Sequence, residues 1–209
     1  MKVPSGELVF DSKKLIGRGA SCKVYRAELH GVMCAIKVLS STFVAKGGKA
    51  EKQFVAEIDI LTSCKHANIC RMYASSTNGD HKCAVLELMD TSLEQRLIDS
   101  EYPPLSWKQR VYVALCMFRG VVALHSRRPV QIHRDIKTSN ILLNGFKTCT
   151  IYPNCIAKIA DFGTARAFDQ RVSVSTVQPQ ASTATAGITH ANLTQSVVGT
   201  YPYMANECE

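Results

Sequence analysis

Aromatic residues are scarce in this sequence, 7% of 209 positions, and they are not interleaved with a basic run. A nucleic-acid reader needs such interleaving, so that class is disfavoured from the outset. The nine cysteines contain no Cys-x-x-Cys pair, and the closest pairings, Cys64 with Cys70 and Cys149 with Cys155, each leave five residues between partners. An odd count at such spacings fits neither a disulfide framework nor a zinc site. The N-terminal MKVPSGELVF has no apolar stretch of signal-peptide length. The longest apolar run, residues 111–118, falls far short of the ~20 residues that span a bilayer. These absences predict a reduced, cytoplasmic chain without a transmembrane segment, whose cysteines mostly serve as small core residues.

What is present is ordinary globular material, 46% hydrophobic and 20% charged. At ~150 residues per domain the length allows one to two domains. Lys and Arg number 25 against 17 acidic residues, and the net charge of +8 suits an anionic ligand.

The first third alternates as sheet does. Residues 8–16, 23–29 and 32–39 are three extended runs, broken by the Gly-rich 17–19 and by His30-Gly31, which predicts an antiparallel meander. After Gly47-Gly48, Phe54, Ile58 and Leu61 recur at i, i+4, i+7 and predict a helix from Glu51 onward. Short strands are expected near 69–74 and 82–88. Ser106 is placed to cap a long helix in which Trp107, Val111, Ala114, Phe118, Val121, Val122 and His125 keep a 3.6 period, the expected core of a second lobe. Further strands are expected at 140–143 and 155–160. Residues 171–196 are nearly uncharged and aperiodic, which reads as a long loop. There is no internal repeat.

Chemistry concentrates at a few points. Gly17-Arg18-Gly19-Ala20-Ser21-Cys22-Lys23-Val24 lies between two strands; it reads either as a hairpin turn or as a loop whose backbone amides approach a ligand. Lys37, in Ala35-Ile36-Lys37-Val38, is costly inside an apolar strand unless its ammonium meets anions. Glu57 on the following helix is either a surface carboxylate or its partner. Ile132-His133-Arg134-Asp135-Ile136-Lys137-Thr138-Ser139-Asn140 sets ionic residues between apolar runs, as a site does. Asp161-Phe162-Gly163 follows an apolar strand, and Gly199-Thr200-Tyr201-Pro202-Tyr203-Met204-Ala205-Asn206-Glu207 nearly closes the chain.

In this order these motifs resemble the eukaryotic protein kinases, with a glycine loop, AIK, a helix Glu, HRD-x-K-x-x-N, DFG and an APE-like end. HRDIKTSN is similar to the serine/threonine type, and residues 104–143 to the tyrosine-kinase-like group that includes Raf-like and receptor-like kinases. The resemblance implies an α+β, two-lobed fold: an antiparallel N-lobe sheet plus one helix over residues 1–86, a hinge at 87–91, and a partial helical C-lobe over 92–209 whose activation segment is 161–207.

It further implies ATP and Mg2+ as cofactors and a protein hydroxyl as acceptor. Asp135 then handles the acceptor's proton, Asn140 and Asp161 hold magnesium, and Lys37, steadied by Glu57, grips the phosphates. Lys137 neutralises the transferring group and Thr200 hydrogen-bonds nearby. Ile16, Gly17, Arg18, Gly19, Val24 and Ala35 lie above the nucleotide and Leu142 below. Leu86 is the gatekeeper, and the backbone of Glu87 and Met89 meets the adenine edge. His133, Phe162, Leu61 and Met72 form a spine joining the lobes. Arg134 and Arg166 clasp a phosphate placed on Thr194 or Ser196.

The pattern is broken at three places. Cys22 replaces the third loop glycine, where its Cβ crowds the phosphates and a thiol beside Lys23 is either reactive or quietly packed. APE has become Ala205-Asn206-Glu207, after an unusually long span from Asp161. The chain ends two residues later, so the long helix is expected to expose apolar surface unless a partner or further segment completes the C-lobe. A truncated, inert nucleotide-binding or protein-interaction module is therefore the alternative to an active kinase.

Overall fold

The computed structural model describes residues 8–40, 48–76, 82–146 and 155–168, the first six of these as backbone only. Thr194, Ser196, Thr200, the APE-like residues and the loop at 171–196 lie outside the described residues. Three strands, β1 (Leu8–Arg18), β2 (Cys22–Leu29) and β3 (Val32–Leu39), form the meander expected from alternation. β4 (Met72–Ser76) and β5 (Cys83–Glu87) complete an antiparallel sheet in the order β1-β2-β3-β5-β4. The β2–β3 turn is the two residues His30 (φ 50°) and Gly31 (φ 78°). Positive φ at both positions matches the twist of a tight hairpin.

Helix α1 (Lys49–Ser63) crosses between β3 and β4. It presses Phe54 and Ile58 onto Cys22, Leu39 and Ala84 of the sheet, each such side chain worth about 1.5–3 kcal/mol of burial. Lys82 pairs with Glu51 near its start, and Arg127 Nη1 donates to the Ser63 carbonyl at its end at 2.6 Å.

The second lobe holds β6 (Thr91–Ser92), α2 (Leu93–Ile98), α3 (Trp107–His125), β7 (Val130–Ile132), a 3-10 turn (Thr138–Asn140), β8 (Ile141–Asn144), β9 (Ile156–Ile159) and β10 (Arg166–Phe168). The sheets pair in the orders β6-β8-β9 and β10-β7. Ser106 caps α3 as expected, in a reciprocal box with Gln109.

Several expectations are corrected. The strand read at 69–74 starts at Met72, because Ile69 bridges in parallel with Ile159 of β9. Cys70 N–H donates to the Ile159 carbonyl at 2.8 Å, and Ile159 N–H to the Asn68 carbonyl at 2.9 Å. The α1–β4 loop thus belongs to the C-lobe's sheet by hydrogen bonding.

The apolar stripe read on α3 is in large part its exposed face: Trp107 (77% exposed), Val111, Phe118 (70%) and Val122 all face outward. The buried face is Val113, Cys116, Gly120 and Leu124. Periodicity alone does not choose between two apolar faces of one helix; residue size does. A Cβ at Gly120 would lie 2.8 Å from the Asn68 carbonyl and 2.8 Å from Ile159 Cδ1, so only glycine lets α3 approach the loop and β9. Gly120→Ala is therefore expected to lower stability by about 1–3 kcal/mol, despite alanine's ~1 kcal/mol advantage in helix propensity. Urea denaturation checks it, and a gain in midpoint would contradict the close approach.

Among the described residues six cysteines are buried free thiols (Cys22, Cys34, Cys64, Cys70, Cys83 and Cys116). Cys155 is disulfide-bonded, which corrects the expectation of a fully reduced chain. Among the described residues no helix is long and apolar enough to cross a membrane. The largest core cluster joins Ile60, Leu61 and Cys64 of α1 to Val113, Cys116 and Leu124 of α3 and to Ile141, Leu143, Ile159 and Phe162. One apolar body therefore underlies both lobes.

Candidate active site

The site assembles along the lower face of the sheet. Lys37 in β3 stands opposite Val24 and Ala84, and Ala35 opposite Leu86. Opposite residues in an antiparallel pair share a face, so Val24, Ala35, Lys37 and Leu86 line the same side of the cleft. Gly17 is registered against Val24, and a Cβ there would meet Val24 only at ordinary contact distance. Gly19 N–H donates to the Cys22 carbonyl at 2.8 Å and closes the loop; Ile16, Arg18 and Gly19 are exposed above the cleft. Cys22 points under the sheet into the α1 cluster rather than toward the loop's mouth, and burial pushes its thiol above the usual range. Of the two readings of this thiol, the quietly packed one is what the fold shows.

Lys37 resolves the choice left open by sequence. Its Nζ donates to both Glu57 carboxylate oxygens at 2.7 Å and to Asp161 Oδ1 at 2.9 Å. Burial alone would pull this ammonium down, but Glu57 and then Asp161 outweigh it and the net displacement is upward. Burial pushes Glu57 up against the opposing pull of Lys37. Burial also raises the Asp161 carboxyl, yet Lys37 more than offsets it and holds that group below the ordinary carboxylate range. The Asp161 side chain remains 52% exposed, open toward the cleft.

A second cluster sits on the loop between β7 and β8. Lys137 Nζ lies 3.0 Å from Asp135 Oδ2. The 3-10 turn brings Asn140 back so that its Nδ2 donates to the Asp135 carbonyl at 2.9 Å and to Asp135 Oδ2 at 3.1 Å. With its amide nitrogen so committed, the Asn140 side-chain oxygen is the atom left for a hard cation. Ala160 N–H donates to the Asn140 carbonyl at 2.9 Å, tying this loop to the strand that delivers Asp161. One amide and one carboxylate oxygen suit magnesium, which takes few protein ligands and completes its shell with phosphates and water.

Backbone strain marks the same two loops. Arg134 (φ 65°) and Asp161 (φ 62°) adopt left-handed conformations, each costing about 1–3 kcal/mol. Arg134 is held by bonds from Nε and Nη2 to the Thr164 carbonyl, and Thr164 Oγ1 donates to the His133 carbonyl at 3.0 Å. Thr164 has no periodic signal that would have named it beforehand. Among the described residues Arg134 Nη1 is buried and has no hydrogen-bond partner. Burial and then Arg166 lower the Arg134 pKa.

His133 lies edge-on to Phe162, centroids 4.9 Å apart. Its Nδ1 accepts the Asp135 N–H at 3.3 Å, so its Nε2 carries the hydrogen given to the Ala160 carbonyl at 3.1 Å. Burial lowers its pKa. Because the folded value is depressed below the unfolded ~6.5, the contribution to stability is complete above that pH and is lost as pH falls through the folded value. Denaturation midpoints from pH 8 to pH 5 should show this slope reduced in a His133→Phe chain; an unchanged slope would assign it elsewhere.

Leu61 and Phe162 share the large cluster, with Met72 and Leu86 packed against it. Leu142 is half-buried in β8, and Asp90, between β5 and β6, donates its N–H to the Leu143 carbonyl at 3.0 Å.

The protein kinase domain model matches residues 10–208. Among curated relatives, Receptor-like kinase TMK4 of Arabidopsis thaliana is 40% identical over 80% of this chain, which covers 18% of that protein. LysM domain receptor-like kinase 10 of Oryza sativa subsp. japonica is 35% identical over 95% of the chain and 28% of its own length. Calcium/calmodulin-regulated receptor-like kinase 1 of Arabidopsis thaliana is 37% identical over 73% of the chain and 32% of its own length. The chain thus spans less than a third of each of these proteins. With a family match across nearly its whole length and the two-lobed α+β fold in place, the chain belongs to the protein kinase domain family.

Proposed function

We propose that the chain catalyses transfer of the terminal phosphoryl group of ATP to serine or threonine hydroxyls of proteins. The convergence of Lys37 on Glu57 and Asp161 carries this reading. Groups separated by 124 positions in sequence lie 2.9 Å apart, at the mouth of a cleft whose roof includes Val24 and Ala35. Phosphoryl transfer calls for positioning and charge stabilisation more than for covalent chemistry. Lys37 supplies fixed positive charge to the phosphates. Asp135, oriented by Asn140, accepts the acceptor's proton, while Lys137 beside it offsets developing negative charge. Asn140 and Asp161 would hold magnesium, which when bound supplies charge neutralisation between phosphates. Thr200 joins this group in the proposal, as do Ile16, Leu142 and the Glu87 and Met89 backbone around adenine. Magnesium-dependent transfer from labelled ATP to a degenerate Ser/Thr peptide pool tests it; no transfer above a no-enzyme blank overturns it.

The exposed α3 stripe favours a second reading, a protein-contact module that holds nucleotide without transferring phosphate. ADP-induced thermal stabilisation with no transfer would select it.

Regulation follows from Arg134. A buried guanidinium nitrogen with no partner among the described residues, facing the like charge of Arg166, calls for an anion. Phosphate on Thr194 or Ser196 is the proposed occupant. Alanine at both positions should lower transfer at least about tenfold, the scale of losing charge-assisted hydrogen bonds. Unmodified residues in active protein, read by mass spectrometry, would refute the assignment. The domain is placed in the cytoplasm on the strength of six buried free thiols, with the bonded Cys155 weighing the other way; imaging of a tagged chain tests that placement.

A further inference from the structure

Behind the cleft a second, largely buried ion pair joins the lobes, and sequence reading passed over it. Glu87 is the last residue of β5, at the start of the hinge; Lys158 stands in β9 of the C-lobe. Lys158 Nζ donates to both Glu87 carboxylate oxygens at 2.7 Å, with the side chains only 11% and 13% exposed. The same carboxylate accepts the Arg71 backbone N–H, while Glu87 N–H donates to the Arg71 carbonyl at 2.9 Å. Lys158 also lies opposite Leu142 in the β8–β9 pair, so the two side chains share a face. The visible signal was a charged residue inside the apolar strand 156–159, the same anomaly that marked Lys37.

An exposed ion pair contributes little. This one is withdrawn from water, bidentate and bonded to a backbone amide, and removing one partner leaves the other charge buried. Its position decides its consequence. The loop at 68–70 is already paired with Ile159 by backbone bonds. Lys158 extends that attachment to Glu87, where a small rotation alters the gap between Ala35 above and Leu142 below.

We propose that Lys158 is a positioning residue: it ties the hinge to the C-lobe and thereby holds the Glu87 backbone where nucleotide is to meet it. The second half of this inference rests on the nucleotide-site reading above. The test is amide hydrogen exchange on the full chain without nucleotide, paired with calorimetric titration by ADP. Lys158→Met should speed exchange at the Arg71 and Glu87 amides by about tenfold, on the scale of one lost charge-assisted hydrogen bond. Amides of β2 and β3 should be unaffected, and Lys158→Arg should restore the original rates. Affinity for ADP should fall about tenfold in Lys158→Met and recover in Lys158→Arg. Glu87→Gln, which keeps shape and weakens the pair, should give the same local pattern. Unchanged exchange in Lys158→Met, or a global rise in both variants, overturns the tether. Faster local exchange with unchanged ADP affinity overturns the positioning role. Failure of the wild-type chain to bind ADP overturns the nucleotide reading instead, and the exchange arm still decides the tether.

Discussion

Asp161→Asn should reduce magnesium-dependent phosphoryl transfer by about 10²- to 10³-fold, the scale on which loss of one preorganised electrostatic group is felt, while leaving the fold intact. The substitution preserves shape and removes charge. Lys37 keeps its bidentate partner Glu57 at 2.7 Å, so the buried ammonium is not stranded. What disappears is a carboxylate that Lys37 holds ionised below the ordinary range and that is open to the cleft. Initial rates with labelled ATP, wild type beside variant, measure it, with thermal melts as the control on folding. Equal rates would remove the proposed activity, since no other described carboxylate touches Lys37 from the cleft side.

The second large effect concerns stability. Phe162→Ala should cost about 3–5 kcal/mol, the usual loss for truncating a buried phenylalanine. Phe162 is 1% exposed and lies in the cluster that joins α1, α3, β8 and β9. Its edge contact with His133 adds about 0.5–1.5 kcal/mol beyond burial. Against a typical total of about 5–15 kcal/mol, that is a large fraction. Phe162→Leu keeps most of the volume and should cost less than about 1.5 kcal/mol. Urea midpoints for both chains provide the comparison, and a loss under about 1 kcal/mol in Phe162→Ala would mean the ring does not join the lobes.

The ordered motifs were legible because each is local. Alternation announced β2 and β3, and His30-Gly31 announced their two-residue turn, since a tight hairpin accepts few residue types. Ser106 announced the start of α3, because a helix leaves N–H groups that a hydroxyl satisfies. Short elements were not legible: β6, β7 and β10 have three residues or fewer, too few for any period to show.

By itself the sequence determined which chemical groups were available and in what order, because motif spacing is written along the chain. Only the tertiary structure decided who meets whom. Lys37 was equally consistent with solvent until the sheet, α1 and the loop after β9 brought two carboxylates within 3 Å of its ammonium. The buried face of α3 was settled by the room at Gly120, a matter of close approach between distant segments that no periodicity encodes. The Lys158–Glu87 tether spans 71 positions and exists only because both lobes are folded. Pairing energies at such separations depend on burial and on geometry fixed by the whole core, and neither is a property of a local stretch of residues.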